Sequence, residues 1–207
     1  MTPLISINRN IILASASPRR KELLARMGLS FIVSPSGAED STKELSALPV
    51  SDQVCFTAEK KAEDAASRFP SESLVIGADT IVVLDNKVLG KPRNRVEAIS
   101  MLNSLQGRWH RVLTGVALLD PERGWRDISY ASTLVEMMEL SMSQIEKYAD
   151  SGEYMDKAGG YGIQGLAAAF IPRLEGCYFN VVGLPVHLLY KMLLKYKAFA
   201  DSLHTGY

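Results

Sequence analysis

Ile11-Ile12-Leu13-Ala14-Ser15-Ala16-Ser17-Pro18-Arg19-Arg20-Lys21-Glu22-Leu23-Leu24-Ala25-Arg26-Met27-Gly28 is the stretch on which the fold turns. Residues 11–14 are a short apolar run that reads as a buried strand. Ser17 suits the N-cap of a helix and Pro18 its first position. Leu23, Leu24 and Met27 then recur on one helical face, and Gly28 is placed to stop the helix as its C′ residue. A strand that runs directly into a capped helix is the elementary piece of an α/β fold.

Working outward, residues 31–33 predict a second strand and residues 37–48 a polar loop. Val54, Ala58, Ala62, Ala65 and Phe69 keep helical spacing and predict a helix over 51–69, ended by Pro70. Residues 74–84 read as a long strand interrupted at Gly77-Ala78-Asp79-Thr80. A turn at Asp85-Asn86 leads into Val88-Leu89, and a helix is expected over 96–105. Residues 111–119 and 128–138 predict two strands around a turn at 120–124. A short helix is expected at 143–149, a hairpin over 166–174 and 178–182, and a closing helix over 185–196. Early alternation of strand and helix followed by hairpins predicts an α/β fold with a mixed sheet and flanking helices, in one domain spanning residues 1–207.

Composition narrows the function. Lysine plus arginine (23) equals aspartate plus glutamate (23), so no global field draws in nucleic acid or an anionic membrane. An anionic substrate must therefore be held by a local cluster of cations. Cys55 and Cys177 form no C-x-x-C, which favours a reduced interior, and the three histidines share no metal-ligand spacing. No basic-then-apolar leader is visible at the N-terminus, and no apolar run approaches the ~18 residues of a membrane span. A cytoplasmic location is expected.

Three sets of residues carry chemistry. Ser15, Ser17, Arg19 and Arg20 surround a helix N-terminus, where free N–H groups and the helix dipole favour phosphate. An ordinary capped helix with solvated arginines is the alternative. Arg20 shares the inward face with Leu23, Leu24 and Met27, whereas Arg19, ~100° away, is free to reach a ligand. Asp79 is a carboxylate within buried-strand residues and needs a partner or a metal there; a turn or capping aspartate is the other reading. Gly77 beside it allows a close backbone approach. The lysines form the third set. Lys61 lies on the edge of the Ala58–Ala65 stripe while Lys60 faces solvent; a lysine so placed that simply snorkels out to water is the equal alternative. Lys91 lies in Gly90-Lys91-Pro92, and Lys157 opens the glycine-rich run Lys157-Ala158-Gly159-Gly160-Tyr161-Gly162-Ile163-Gln164-Gly165. Together they suit a triphosphate with a divalent ion.

These residues bear a family resemblance. Leu13 through Leu24 resembles the opening signature of the Maf family. Gly77-Ala78-Asp79-Thr80, Gly90-Lys91-Pro92, residues 110–114, residues 156–165 and Val182-Gly183-Leu184-Pro185 resemble its later blocks in the same order. The resemblance implies an elongated, two-lobed α/β fold around a central cleft, similar to inosine-triphosphate pyrophosphatases. It implies release of diphosphate from nucleoside triphosphates with Mg²⁺ or Mn²⁺. Asp79 becomes the proton acceptor and a metal ligand, with Glu39 as a second ligand and Asp40 in reserve. Ser15, Arg19, Arg20, Lys61, Lys91 and Lys157 line the substrate site. Arg19, Thr80 and Gln164 match positions that separate subfamilies, and Thr80 with Ile163-Gln164-Gly165 looks like the branch acting on dTTP and UTP. The residues do not specify an oligomeric state, and a homodimer is compatible with them. The competing reading is a nucleotide-binding regulator of cell division without significant turnover.

Overall fold

The computed structural model describes residues 4–37, 45, 47–69 and 71–203. In chain order these form β1 (Asn10–Leu13), α1 (Pro18–Arg26), β2 (Phe31–Val33), α2 (Val50–Ala66), β3 (Ser73–Leu84) and β4 (Lys87–Leu89). They continue as α3 (Arg95–Leu105), β5 (Trp109–Asp120), β6 (Trp125–Glu136) and α4 (Met142–Asp150). Two 3₁₀ turns (Ala158–Gly160 and Leu166–Phe170), β7 (Arg173–Glu175), α5 (Tyr178–Val182) and α6 (Val186–Ser202) complete the chain. The strand order is β2-β1-β3-β5-β6-β7, with β4 paired to β3. β1 runs parallel to β2 and β3, whereas β3–β4 and β6–β7 are antiparallel. The sheet is mixed, as the sequence predicts.

The chain divides into two compact units, and it passes from one to the other between Asp79 and Thr80, inside β3. The first unit takes in described residues of Met1–Asp79, Gly115–Tyr130 and Gly183–Tyr207. Its core gathers Ile12, Ala14, Ala58, Ala62, Ala65, Val75 and Ala117. Small side chains dominate here because α2 packs on the sheet with its backbone rather than its side chains. A Cβ added to Gly77 would lie 2.2 Å from the Ala58 carbonyl oxygen, and one on Gly115 would lie 2.4 Å from that of Val54. Only glycine fits either place. The fully buried Asp120 accepts a hydrogen bond from the Tyr196 hydroxyl at 2.6 Å and pairs with Arg9 at 3.2 Å, so α6 is tied to the end of β5.

The second unit comprises Thr80–Thr114 and Ala131–Val182. Its core is built from larger residues: Val82, Leu84, Leu102, Leu105, Val112, Val135, Met137, Ile145, Tyr148 and Tyr161. Asn94 caps α3, and Ser141 with Gln144 forms a full capping box on α4.

Three elements depart from the sequence expectation. β3 runs unbroken through Gly77-Ala78-Asp79-Thr80, since the glycine there accommodates α2 instead of breaking the strand. No hairpin forms over 166–182. Leu166–Phe170 is a 3₁₀ turn, β7 pairs with β6, and Tyr178–Val182 is helical. The β-branched and aromatic run in α5 is overridden by tertiary hydrogen bonds: Asn180 donates to the Val112 carbonyl and to Thr133 Oγ1, and Thr133 Oγ1 accepts from the Cys177 N–H. Finally, α6 continues past Tyr196 to Ser202, carried by Phe199, which stacks on Trp125 with ring centroids 4.6 Å apart.

Replacing Gly77 by alanine drives a methyl group into the backbone of α2. Gly77→Ala is expected to lose about 1–3 kcal/mol, the cost of overpacking a tight interior. Gly37→Ala, whose Cβ meets nothing within 4 Å, is expected to change stability little. Urea unfolding of both proteins checks this, and equal stabilities would contradict the close approach.

Candidate active site

In the first unit, the approach of α2 to Gly77 places a lysine on a carboxylate. Residues two apart in a strand share a face, so Asp79 projects on the Gly77 face, which α2 covers. Lys61 of α2 reaches it with Nζ 2.7 Å from Asp79 Oδ1, and the two side chains are only 17% and 15% exposed. Removing a pair of opposite charges from water contributes little net stability. Asp79 Oδ2 has no hydrogen-bond partner among the described residues. Lys60, one residue earlier, is exposed and pairs with Glu63 at 2.7 Å.

Beside this pair in the sheet, the chain leaves β1 for α1. The Ala14 N–H donates to the Ile76 carbonyl at 2.9 Å, which carries the parallel register to the start of the loop. The buried Ser15 Oγ accepts from the Ser17 N–H and from an Arg20 Nη1–H, each at 3.2 Å. With its lone pairs so used, the Ser15 hydroxyl keeps its proton to donate, which suits a phosphate oxygen. Ser17 is the N-cap of α1, accepting from the Arg20 N–H. Arg20 Nε donates to the Gly183 carbonyl at 2.8 Å, so this side chain braces the protein. Arg19 makes no side-chain hydrogen bond or ion pair among the described residues. The helical phase read from the sequence separates the two arginines in the same way.

The second unit holds Thr80, Lys91, Lys157 and Gln164. The Gly159 N–H donates to the Gly90 carbonyl at 2.9 Å, joining the loop that carries Lys91 to the loop that carries Lys157. Lys91 is exposed. The stem of Lys157 lies over Gly162, where an added Cβ would meet Cε at 2.6 Å. Gln164 sits in a turn closed by the Gly165 N–H on the Gly162 carbonyl at 3.0 Å. Its amide is exposed and has no side-chain partner among the described residues.

Thr80 takes the opposite face of β3 from Asp79, and its hydroxyl lies 3.0 Å from that of Thr114. Thr114 donates its one proton to the Asn180 carbonyl at 2.9 Å. Thr80 therefore donates to Thr114. Thr114 and Asn180 escaped individual notice in the sequence. Thr114 lay inside a recognised block, and the amide of Asn180 bonds to strands far away in the chain. The same core buries His110, whose Nε2 lies 2.6 Å from the Tyr161 hydroxyl. Burial pushes the His110 pKa down to about 4 and raises that of the Tyr161 phenol.

Among the described residues, no three His, Cys, Asp or Glu side chains gather into a ready metal cage. Asp79 Oδ2, without a hydrogen-bond partner among the described residues, is a hard donor, and Mg²⁺ or Mn²⁺ is commonly held by one or two carboxylates together with substrate phosphates. The donor chemistry fits such an ion. Glu39 and Asp40 lie outside the described residues.

Residues 10–196 match the family described as Maf-like protein. The dTTP/UTP pyrophosphatase of Desulforamulus reducens is 51% identical over 87% of this chain and 93% of its own length. That of Symbiobacterium thermophilum is 46% identical over 96% and 98%. The nucleoside-triphosphatase, or dITP/XTP pyrophosphatase, of Mycobacterium abscessus superposes with a TM-score of 0.41 at 15% identity, covering 62% of this chain and 74% of that one. This last likeness is too partial to bear on the site.

Two expectations follow. Lys61→Ala is expected to lower kcat/KM for a nucleoside triphosphate by a factor of order 10² or more, as for loss of a charge-assisted contact in a water-poor site. Lys60→Ala should be nearly silent, and steady-state kinetics showing equal losses would contradict the geometry. The second concerns pH. Unfolded His110 takes up a proton below its ordinary value of 6.5, whereas the folded side chain resists until about 4. Its contribution to stability is thus present above pH 6.5 and is lost as pH falls through 4, up to about 3 kcal/mol. Subtracting the pH profile of His110→Gln from that of wild type isolates this loss, and superimposable profiles would refute it.

Proposed function

The chain belongs to the Maf-like protein family, and we propose that it is a nucleoside triphosphate pyrophosphatase acting on dTTP and UTP. The observation that carries this reading is the Lys61–Asp79 pair at 2.7 Å on the face of β3 that α2 covers. A binding module has no need of a part-buried carboxylate whose second oxygen has no hydrogen-bond partner among the described residues. A hydrolase uses it to take a proton from attacking water. Relatives that share about half of their residues with this chain over nearly its whole length carry the name dTTP/UTP pyrophosphatase. Regulation without turnover is not favoured.

In this reading water attacks the α-phosphorus and Asp79 accepts its proton. Lys61 moves from the carboxylate to the phosphate as negative charge develops there. Ser15 donates its free proton to a phosphate oxygen, and the N–H groups at the start of α1 with Arg19 add positive potential. Arg20 acts through Ser15, and Ser17 by capping α1. Lys91 and Lys157 neutralise the leaving diphosphate. Pyrophosphatases of this kind point to a metal-dependent reaction, and we propose that the ion is Mg²⁺ or Mn²⁺, which Asp79 and Glu39 would hold. When bound it polarises the phosphate and favours ionisation of water.

Gln164 reads the base. Its amide donates and accepts at once, matching the adjacent carbonyl and N–H of thymine or uracil. We assign Thr80 to the same recognition. No helix among the described residues is long and apolar enough to cross a membrane, and the substrate is a small nucleotide of the cytoplasm. A single domain that forms a homodimer completes the proposal.

Asp79→Asn keeps the shape of the side chain and removes its basicity. The variant is expected to fold and to lose turnover of dTTP by about 10²–10⁴, the usual scale for a general base. Diphosphate release, measured beside circular dichroism, checks both halves, and wild-type turnover in a folded variant would take Asp79 out of the mechanism.

A further inference from the structure

Glu153 lies outside every residue assigned above, yet the loop that carries Gln164 is built around it. Its carboxylate Oε2 accepts a hydrogen bond from the Leu166 N–H at 2.8 Å. That oxygen occupies the space where a side chain at residue 165 would begin. A Cβ on Gly165 would lie 2.0 Å from Oε2 and 2.8 Å from Cδ. Glycine at 165 is therefore required by the carboxylate and not by the backbone angle, since its φ of −106° is open to any residue.

Glu153 is itself held. Its N–H donates to Ser151 Oγ at 3.2 Å, and Ser151 directly follows α4, whose Ile145, Tyr148 and Ala149 are buried. On the far side of the loop, Ala167 is buried and Phe170 packs edge-on against Tyr148 at 5.8 Å. Gln164 thus sits within the Gly162–Gly165 turn, two residues before a peptide N–H clamped by a carboxylate. An amide that distinguishes bases by the direction of two hydrogen bonds must be held to within ~0.5 Å.

Resting on the reading of Gln164 as the base-recognising residue, we infer that Glu153 is a positioning residue for base selectivity. It acts through the Leu166 N–H to hold the Gln164 amide in register with the pyrimidine edge. Glu153→Gln keeps a carbonyl oxygen of the same reach and can still accept from Leu166. Glu153→Ala leaves that N–H unpaired and frees the turn.

The experiment measures kcat/KM for dTTP, UTP and CTP on wild type, Glu153→Ala, Glu153→Gln and Gln164→Ala, with folding checked by thermal melts. Wild type is expected to prefer dTTP and UTP. In Glu153→Ala that preference over CTP is expected to fall about tenfold, the scale of a mispositioned hydrogen bond, and Glu153→Gln should retain most of it. A merely structural role would lower all three substrates by the same factor. An unchanged preference in Glu153→Ala, or a uniform loss, overturns the assignment whatever Gln164→Ala does. An unchanged preference in Gln164→Ala, or a wild type indifferent to the base, instead overturns the reading of Gln164 beneath it.

Discussion

The contact between α2 and β3 at Gly77 is the constraint on which the first unit depends. With the Ala58 carbonyl 2.2 Å from where a Cβ would stand, helix and strand meet backbone to backbone. The alanines at 58, 62 and 65 make the approach possible, and all are fully buried. Because the helix lies so close, a side chain as long as lysine overshoots the interface and ends at Asp79, two residues along the strand. The Lys61–Asp79 pair is a consequence of how tightly the layers pack. Attraction between two part-buried charges roughly offsets the cost of drying them. In the proposed mechanism its chemical value lies in a carboxylate and an ammonium that are already largely desolvated when a phosphate arrives.

The second unit solves a different problem by related means. Its glycines at 162 and 165 make room for other side chains: the stem of Lys157 over one and the Glu153 carboxylate against the other. A glycine-rich run that suggests a flexible loop is instead a set of seats for charged groups. Thr80, Thr114, Asn180 and Thr133 form a hydroxyl and amide chain in which the direction of each proton follows from the carbonyls at its ends.

Much of this was legible in the sequence where the signal was local. Ser17-Pro18 marks the start of α1 because capping acts within one turn. The phase of Lys61 against Ala58 and Ala65 separates it from Lys60 because helical geometry is periodic, and Arg19 parts from Arg20 for the same reason. What failed was non-local. The run Tyr178-Phe179-Asn180-Val181-Val182 has strand propensity, but Asn180 bonds to β5 and β6, and no neighbour in sequence announces it. Gly77 was read both as a close approach and as an interruption of the strand, and only the first holds, since an extended glycine pairs like any other residue. Glu153 left no trace because its partner is a backbone N–H thirteen residues later, and the carboxylate that excludes a side chain at Gly165 is invisible without coordinates.

The central claim is that Asp79, held by Lys61, directs water to the α-phosphorus of a pyrimidine nucleoside triphosphate. Hydrolysis of dTTP in ¹⁸O-labelled water, with products resolved by mass spectrometry, tests it most directly. The account predicts one labelled oxygen in dTMP, unlabelled diphosphate as the partner product, and loss of both products in Asp79→Asn. Label in the diphosphate, or release of inorganic monophosphate with dTDP, would contradict it.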